Sequence, residues 1–303
     1  MGQNKGLTRH CHVCEETNIN ELCHNSLKRI GVKKVHWECW SNCNLGCQFC
    51  YRSTEQPLDR EDALALVDSV ADGGAQTIVF AGGDPSLRKD LPELIRYAKN
   101  SGLEVEVQTN AHHIPSALLS ELVGECVATI GLSLDAATAE KHDGIRSTRG
   151  NFKKVLKLLD IVDRQGKNII LRTVISKQNK DEVDKIGPLI EGFSNISRWS
   201  LLEFTPINSG YQSRRDYEMP HDEFLATAER ASLSYNGKGL VDIYSEDQKK
   251  GTYCLIAPDG SVYGTSYSSQ GHYPIIGNIN SSHMADLAMQ LPFNRDNHLL
   301  RYS

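Results

Sequence analysis

SNCNLGCQFCYRS, residues 41–53, places Cys43, Cys47 and Cys50 within eight positions, with Phe49 just before the last. The stretch before it, VKKVHWEC (residues 32–39), alternates with β-branched and aromatic residues and reads as a first strand. The cysteines therefore sit on a loop that leaves a strand. The segments after that loop decide the fold. DREDALALVDSVADGG (59–74) has helical periodicity, with Asp59 near its start and two glycines at its end. QTIVFAGG (76–83) is a second strand.

The alternation continues. Helices are expected at 89–102, 114–124 and 151–166, a short one at 181–190, and another at 221–233. Strands are expected at 103–110, 126–135, 168–176 and 197–206. Six βα units in a row give a parallel sheet covered by helices, since βαβ crossovers are right-handed. The expected class is α/β, a partial (β/α)6 barrel of parallel strands. Functional residues then belong at the C-terminal ends of the strands. After Lys238 the pattern changes. YCLIAPDGSVYGTS (253–266) reads as a hairpin around Pro258, Asp259 and Gly260, and HMADLAMQ (283–290) as a last helix. Three segments are expected: a cysteine-containing extension (1–32), the core (33–238) and a C-terminal extension (239–303).

The 303 residues carry a formal charge of −5, with acids and bases interspersed. No basic stripe points to nucleic acid. No apolar run reaches the length of a membrane span, and the N-terminus lacks the apolar core of a signal peptide. A cytoplasmic location is expected. Nine cysteines in a reducing compartment suggest metal ligands or reactive thiols more than a disulfide framework.

A structural zinc usually takes four ligands, often in C-x2-4-C pairs. Here the spacing is C-x3-C-x2-C on one loop. Three thiolates on a cubane iron–sulfur cluster leave one iron open to a small molecule, whereas the plainer alternative is zinc or buried thiols. One strand later stand Gly82, Gly83, Asp84 and Pro85. The triplet with its aromatic, followed by this turn, resembles the radical S-adenosylmethionine (radical SAM) superfamily over residues 33–205. The resemblance implies a 4Fe-4S cluster on Cys43, Cys47 and Cys50. It also implies S-adenosylmethionine on the open iron, cleaved to a 5′-deoxyadenosyl radical, and a reductant such as flavodoxin or ferredoxin. Asp84 stands where the family's G-G-E-P motif holds the cofactor's amino group. Gln108, Asn110, Ser133 and Asp135 match positions where relatives put polar groups on its ribose and carboxylate. Arg146 or Arg172 would pair with the carboxylate. For each single residue, helix capping or a surface ion pair is an equal alternative.

Cys11, Cys14, Cys23 and Cys39 are enough for a second 4Fe-4S cluster or a structural zinc, with His10, His12 or His24 able to replace Cys39. The alternative is a buried Cys39 and free N-terminal thiols. Cys126 reads as core packing. Cys254 stands alone in the hairpin. A lone thiol there can return a hydrogen atom to a carbon radical, as a cysteine does in the radical SAM epimerases, or it is a structural thiol. In size and cysteine pattern the chain is similar to the aminoglycoside epimerases typified by neomycin C epimerase. That likeness implies inversion of a C–H stereocentre in a cationic sugar, with Cys254 as donor. Glu203, Asp216, Glu218, Asp242, Glu246 and Asp247 would bind its ammonium groups, and Tyr211, Tyr244 and Tyr253 would stack on it. For any one acid a solvated surface is the plainer reading. The alternatives are a peptide-modifying enzyme, on the likeness of residues 133–156 to those members, and a non-catalytic iron–sulfur or zinc scaffold.

Overall fold

Alternating strand residues point to opposite faces of a sheet, and here the two faces differ in chemistry. On β1 (Lys34–Trp40) the residues Val35, Trp37 and Cys39 are buried in the apolar core, while Lys34, His36 and Glu38 occupy the other face. β2 (Thr77–Gly82), β3 (Glu104–Thr109), β4 (Thr129–Ser133), β5 (Asn168–Ile175) and β6 (Ile196–Glu203) follow in sequential parallel order. The structure is a computed structural model that describes residues 25–266 and 271–302. Cys11, Cys14, Cys23 and the histidines near them lie outside the described residues.

The helices cover the apolar face. They include α1 (Arg60–Asp72), α2 (Leu91–Asn100), α3 (Ser116–Val123), α4 (Asn151–Arg164), α5 (Ile186–Ile190) and α6 (His221–Leu233). Asp59 caps α1 by accepting the Asp62 N–H at 3.0 Å. α1 buries Ala63, Leu66, Val67 and Val70, and α4 buries Val155, Leu158, Leu159 and Val162, each set at helical spacing. These stripes meet Val35, Trp37, Ile78, Phe80, Val105 and Val107 in one continuous core.

Two more parallel strands widen the expected set of six. β7 (Leu240–Tyr244) pairs with β6, and β8 (Cys254–Ile256) pairs with β1. The hairpin partner β9 (Ser261–Gly264) and then β10 (Ile275–Asn278) are antiparallel. Among the described residues one ten-stranded sheet runs β10-β9-β8-β1-β2-β3-β4-β5-β6-β7. The sheet is continuous across residue 238, and its curve stays open between β10 and β7.

The C-terminal helices are α7 (Met284–Gln290) and α8 (Arg295–Tyr302), the second without a counterpart in the expected set. α8 is pinned at the start of β1. His298, fully buried, accepts the Lys33 N–H at Nε2 (2.9 Å), and its Nδ1 lies 2.7 Å from the Thr252 carbonyl. Both contacts fit the neutral ring, with Nδ1–H donating. Burial pulls the His298 pKa down to about 4 from 6.5. A histidine depressed in the fold stabilises fully above its unfolded pKa, and that stability is lost as pH falls through the folded one. Chemical denaturation followed downward from pH 6.5 towards 4 should show a progressive loss of stability. His298→Gln should cost about 1–3 kcal/mol at neutral pH and should show a shallower acid loss than the parent chain.

Candidate active site at the cysteine loop

The loop between β1 and α1 is tied down by its backbone. Gly83 N–H donates to the Trp40 carbonyl (2.6 Å) and Asp84 N–H to the Asn42 carbonyl (2.9 Å), which lock the β2 turn against the loop's start. Gly210 N–H donates to the Cys50 carbonyl, and Ser53 N–H to the Glu38 carboxylate at 2.9 Å. Glu38 also accepts from Tyr263 Oη at 2.9 Å; burial raises its pKa to about 7. The glycines are required. Gly82 has φ +128°, and a Cβ there would lie 2.3 Å from the Trp40 oxygen. A Cβ on Gly83 would lie 2.2 Å from the Asn42 oxygen.

Cys43, Cys47 and Cys50 are half-buried and line one cavity of about 250 Å³ at the C-terminal ends of the strands. Phe49, Gly82, Gly83, Asp84, Gln108, Asn110, Ser133, Arg146 and Arg172 line it with them. Asn110 donates through Nδ2 to Asn44 Oδ1 (2.9 Å) and to Cys43 Sγ (3.4 Å). Arg146 lies 5.2 Å from the Phe49 ring centroid and donates through Nε to Asp135 at 2.5 Å. Asp135 is fully buried and also accepts the Val174 N–H, so it positions Arg146 and does not line the cavity. Asp84 engages both oxygens within the protein, with Ser86 N–H, Thr109 Oγ1 and Asn110 N–H. It stitches the turn to the end of β3. Arg172 sits deeper, donating to Glu106 at 2.7 Å, while Lys34 bonds the other Glu106 oxygen at 2.8 Å. Burial pushes the Glu106 pKa up, and the two cations overcome that and hold it well below the usual carboxylate range.

Several expectations are corrected. Cys254 is fully buried in the core between sheet and helices, and its neighbours Tyr253 and Leu255 face the cavity instead. Strand alternation turns the thiol away, and burial pushes its pKa up to about 12. It is not positioned to return hydrogen to a substrate in this cavity. Cys39 faces the same core, fully buried among apolar side chains and donating to the Ala81 carbonyl at 3.5 Å, and that position argues against it as a fourth ligand; burial pushes its pKa up to about 12. Of the acids expected to bind a cationic sugar, only Glu203 lines the cavity. It already accepts from the Glu246 N–H (2.6 Å) and meets His221 at 3.0 Å. Asp216, Glu218 and Asp247 are exposed and Glu246 is half-buried outside the cavity. Asp242 pairs with Arg198 at 3.1 Å, and Tyr244 is covered by the Arg301 guanidinium at 3.7 Å.

The cavity lining also holds cations that the motifs did not reveal. Lys249 Nζ is buried and bonded to the Glu203 carbonyl and to Thr205 Oγ1, and burial lowers its pKa to about 7. Arg301 of α8, His36 of β1 and Tyr51 line the same cavity. The available signal was alternation: polar residues at 34, 36 and 38, at 104, 106 and 108, and at 198 and 200 mark a polar inner face.

The residues fit an iron–sulfur cluster with S-adenosylmethionine. Three thiols share one wall, and beside them a glycine turn offers backbone at close range. Among the described residues no three His, Cys, Asp or Glu side chains converge on a single-ion position. A cubane takes its thiolates one per iron and needs no such convergence.

Residues 37–187 match the Radical SAM superfamily. The chain is 35% identical over 162 residues to the Fe-coproporphyrin III synthase of Methanosarcina barkeri, covering 52% of this chain and 40% of that protein. It is 26% identical over 257 residues to an S-adenosylmethionine-dependent nucleotide dehydratase of Lacinutrix mariniflava, covering 80% of this chain and 52% of the relative. The chain thus spans about half the length of these curated relatives. In fold it resembles Streptococcus suis SuiB bound to S-adenosylmethionine, with a TM-score of 0.67 at 15% identity over 91% of this chain and 70% of that one. An open, mostly parallel α/β barrel with a cysteine triplet beyond its first strand defines the class, and the chain belongs to the radical SAM superfamily. That family's cofactors are a 4Fe-4S cluster and S-adenosylmethionine.

Gly83→Ala tests the close approach. The new methyl meets backbone, so either the loop or the turn must move. Denaturation of the cluster-free protein should show a loss of about 1–3 kcal/mol, and iron bound per chain after reconstitution should fall.

Proposed function

We propose that this chain is a radical SAM enzyme that begins hydrogen abstraction on an organic substrate held in the same lumen. The observation that carries the reading is the shared cavity: the cysteine triplet, the Gly82–Gly83 turn, Tyr253, Lys249 and Arg301 all line it. The chemistry the cofactors supply when bound is reductive cleavage of a sulfonium to a 5′-deoxyadenosyl radical. The chain's own residues set the stage for it. Gly82 and Gly83 bring backbone within reach of a ligand. Arg146, fixed by Asp135, holds a positive charge beside the triplet suited to a cofactor carboxylate. Lys249, with its pKa near neutrality, can hold or release a proton at Nζ on the substrate side.

The lumen is rich in cations and its one lining acid besides Asp84 is Glu203, already partnered. A polycationic sugar would be repelled there. The named relatives are an Fe-coproporphyrin III synthase and a nucleotide dehydratase. Their likeness supports shared cofactor chemistry, and the choice of substrate rests on the lumen. Modification of a peptide side chain is the reading to which a new bond in a peptide would point.

Anaerobic reconstitution with iron and sulfide, then reduction with dithionite, tests the first half-reaction. The expected result is 5′-deoxyadenosine, detected by mass spectrometry, and its disappearance in Cys43→Ala. A chain that loads the cluster yet never cleaves S-adenosylmethionine would sink the proposal in favour of a non-catalytic scaffold. Cys254→Ala should retain cleavage and product formation; product lost while cleavage continues would restore the epimerase reading.

A further inference from the structure

Below the active-site cavity, at the N-terminal ends of the strands, lies a second cavity of about 110 Å³. Its polar lining comprises Lys34 of β1, Arg172 of β5, Arg198 and Ser200 of β6, and Arg301 and Tyr302 of α8. The four cations are opposed by two nearby carboxylates. Glu106 is shared by Lys34 and Arg172, and Asp242 bonds Arg198 at 3.1 Å and approaches Arg301 only to 3.9 Å. Among the described residues the pocket therefore has a surplus of two positive charges, four cations against two carboxylates. Its hydrogen bonding is also incomplete. Arg172 Nη1, Ser200 Oγ, Arg301 Nε and Arg301 Nη1 are buried without a hydrogen-bond partner among the described residues, as is Asp242 Oδ1. Ser200 is fully buried and Arg301 is 6% exposed.

Aromatic stacking does not satisfy these donors. The Arg301 guanidinium lies 3.7 Å from the Tyr244 ring centroid and 5.2 Å from that of Tyr253. These are contacts with the rings, and Arg301 Nε and Nη1 have no hydrogen-bond partner among the described residues. Buried polar groups in folded proteins nearly always find partners. Unpartnered guanidinium N–H groups and a serine hydroxyl bordering one cationic pocket are the donor types that hold an oxyanion. The volume exceeds the roughly 30 Å³ share of one water and is ample for a carboxylate or phosphate.

Arg172 and Arg301 line both cavities. A group bound below therefore lies against the same two arginines that border the space above, where Tyr253 and Lys249 share a cavity with the cysteine triplet. We propose that the lower cavity is an oxyanion site that holds a carboxylate or phosphate of the substrate, with the rest of the molecule rising into the upper cavity. This deepens the radical SAM reading and rests on it for the identity of the upper ligand. The binding itself needs neither cluster nor reductant.

The test is calorimetric titration of the reconstituted full chain at constant ionic strength, with inorganic phosphate and, separately, phenyl phosphate. Saturable one-to-one binding of both is expected, with phenyl phosphate the tighter because its ring fills upper space. Arg198→Gln should weaken both by about tenfold or more, and Arg198→Lys should restore part of the loss. Ser200→Ala guards against a folding artefact. The hydroxyl has no protein partner to lose, so the unfolding temperature should hold while phosphate affinity falls. Absence of saturable binding, or affinities unchanged in both Arg198→Gln and Ser200→Ala, would mean that only water fills the pocket and would overturn the site. Phenyl phosphate binding no tighter than inorganic phosphate would overturn its assignment to a substrate. Cofactor cleavage measured on the same preparation reports separately: its failure sinks the radical reading and leaves the anion titration standing.

Discussion

Two backbone hydrogen bonds, from Gly83 to Trp40 and from Asp84 to Asn42, bring the turn after β2 onto the loop after β1. The contact is so close that neither glycine can carry a side chain. Everything above the sheet depends on it. It fixes where the loop departs, and so which way three thiols point. Asp84 extends the same constraint to β3 through Thr109 and Asn110, and Asn110 reaches back to Cys43. A set of polar contacts thus ties the cysteine loop to the ends of β2 and β3.

A second constraint acts inside the barrel. The lumen is lined by charged side chains that are largely buried, where an unpaired charge is expensive. Glu106 offsets this for Lys34 and Arg172, and Asp242 for Arg198. The compensation is incomplete at Arg301 and Arg172, whose remaining N–H groups stay unmatched. Lys249 meets the same penalty differently, with a pKa lowered to about 7. An interior left with excess positive charge and free donors is arranged for an anionic group from outside the chain.

The C-terminal segment makes this interior possible. β8 joins the sheet beside β1, and α8 closes the lower end through His298. Arg301 and Tyr302 reach the lumen because that helix is anchored there. Cys254 belongs to the same strand but alternates to the opposite face, so one register decides that Leu255 meets the cavity and the thiol meets the core.

The six βα units, their helices and the cysteine loop were legible from periodicity and spacing, because those signals are local. Apolar stripes at helical spacing need a sheet to cover, and three cysteines on one loop need no distant partner to be noticed. The Gly82–Gly83 turn was legible for the same reason. Long-range placement was not. β7 and β10 are short, and α8 has a weak apolar stripe, so neither their presence nor their neighbours could be read from local pattern. The polar alternation of β1, β3 and β6 was visible, yet its convergence on one lumen required the sheet to curl. The facing of Cys39 and Cys254, the pairing of Glu106 with residues 72 and 66 positions away, and the return of Arg301 to strands 5 and 6 were decided only by tertiary structure. Sequence determines which chemistry is available on each face of each element; only the curling of the sheet and the docking of the last helix decide which of those groups share a cavity.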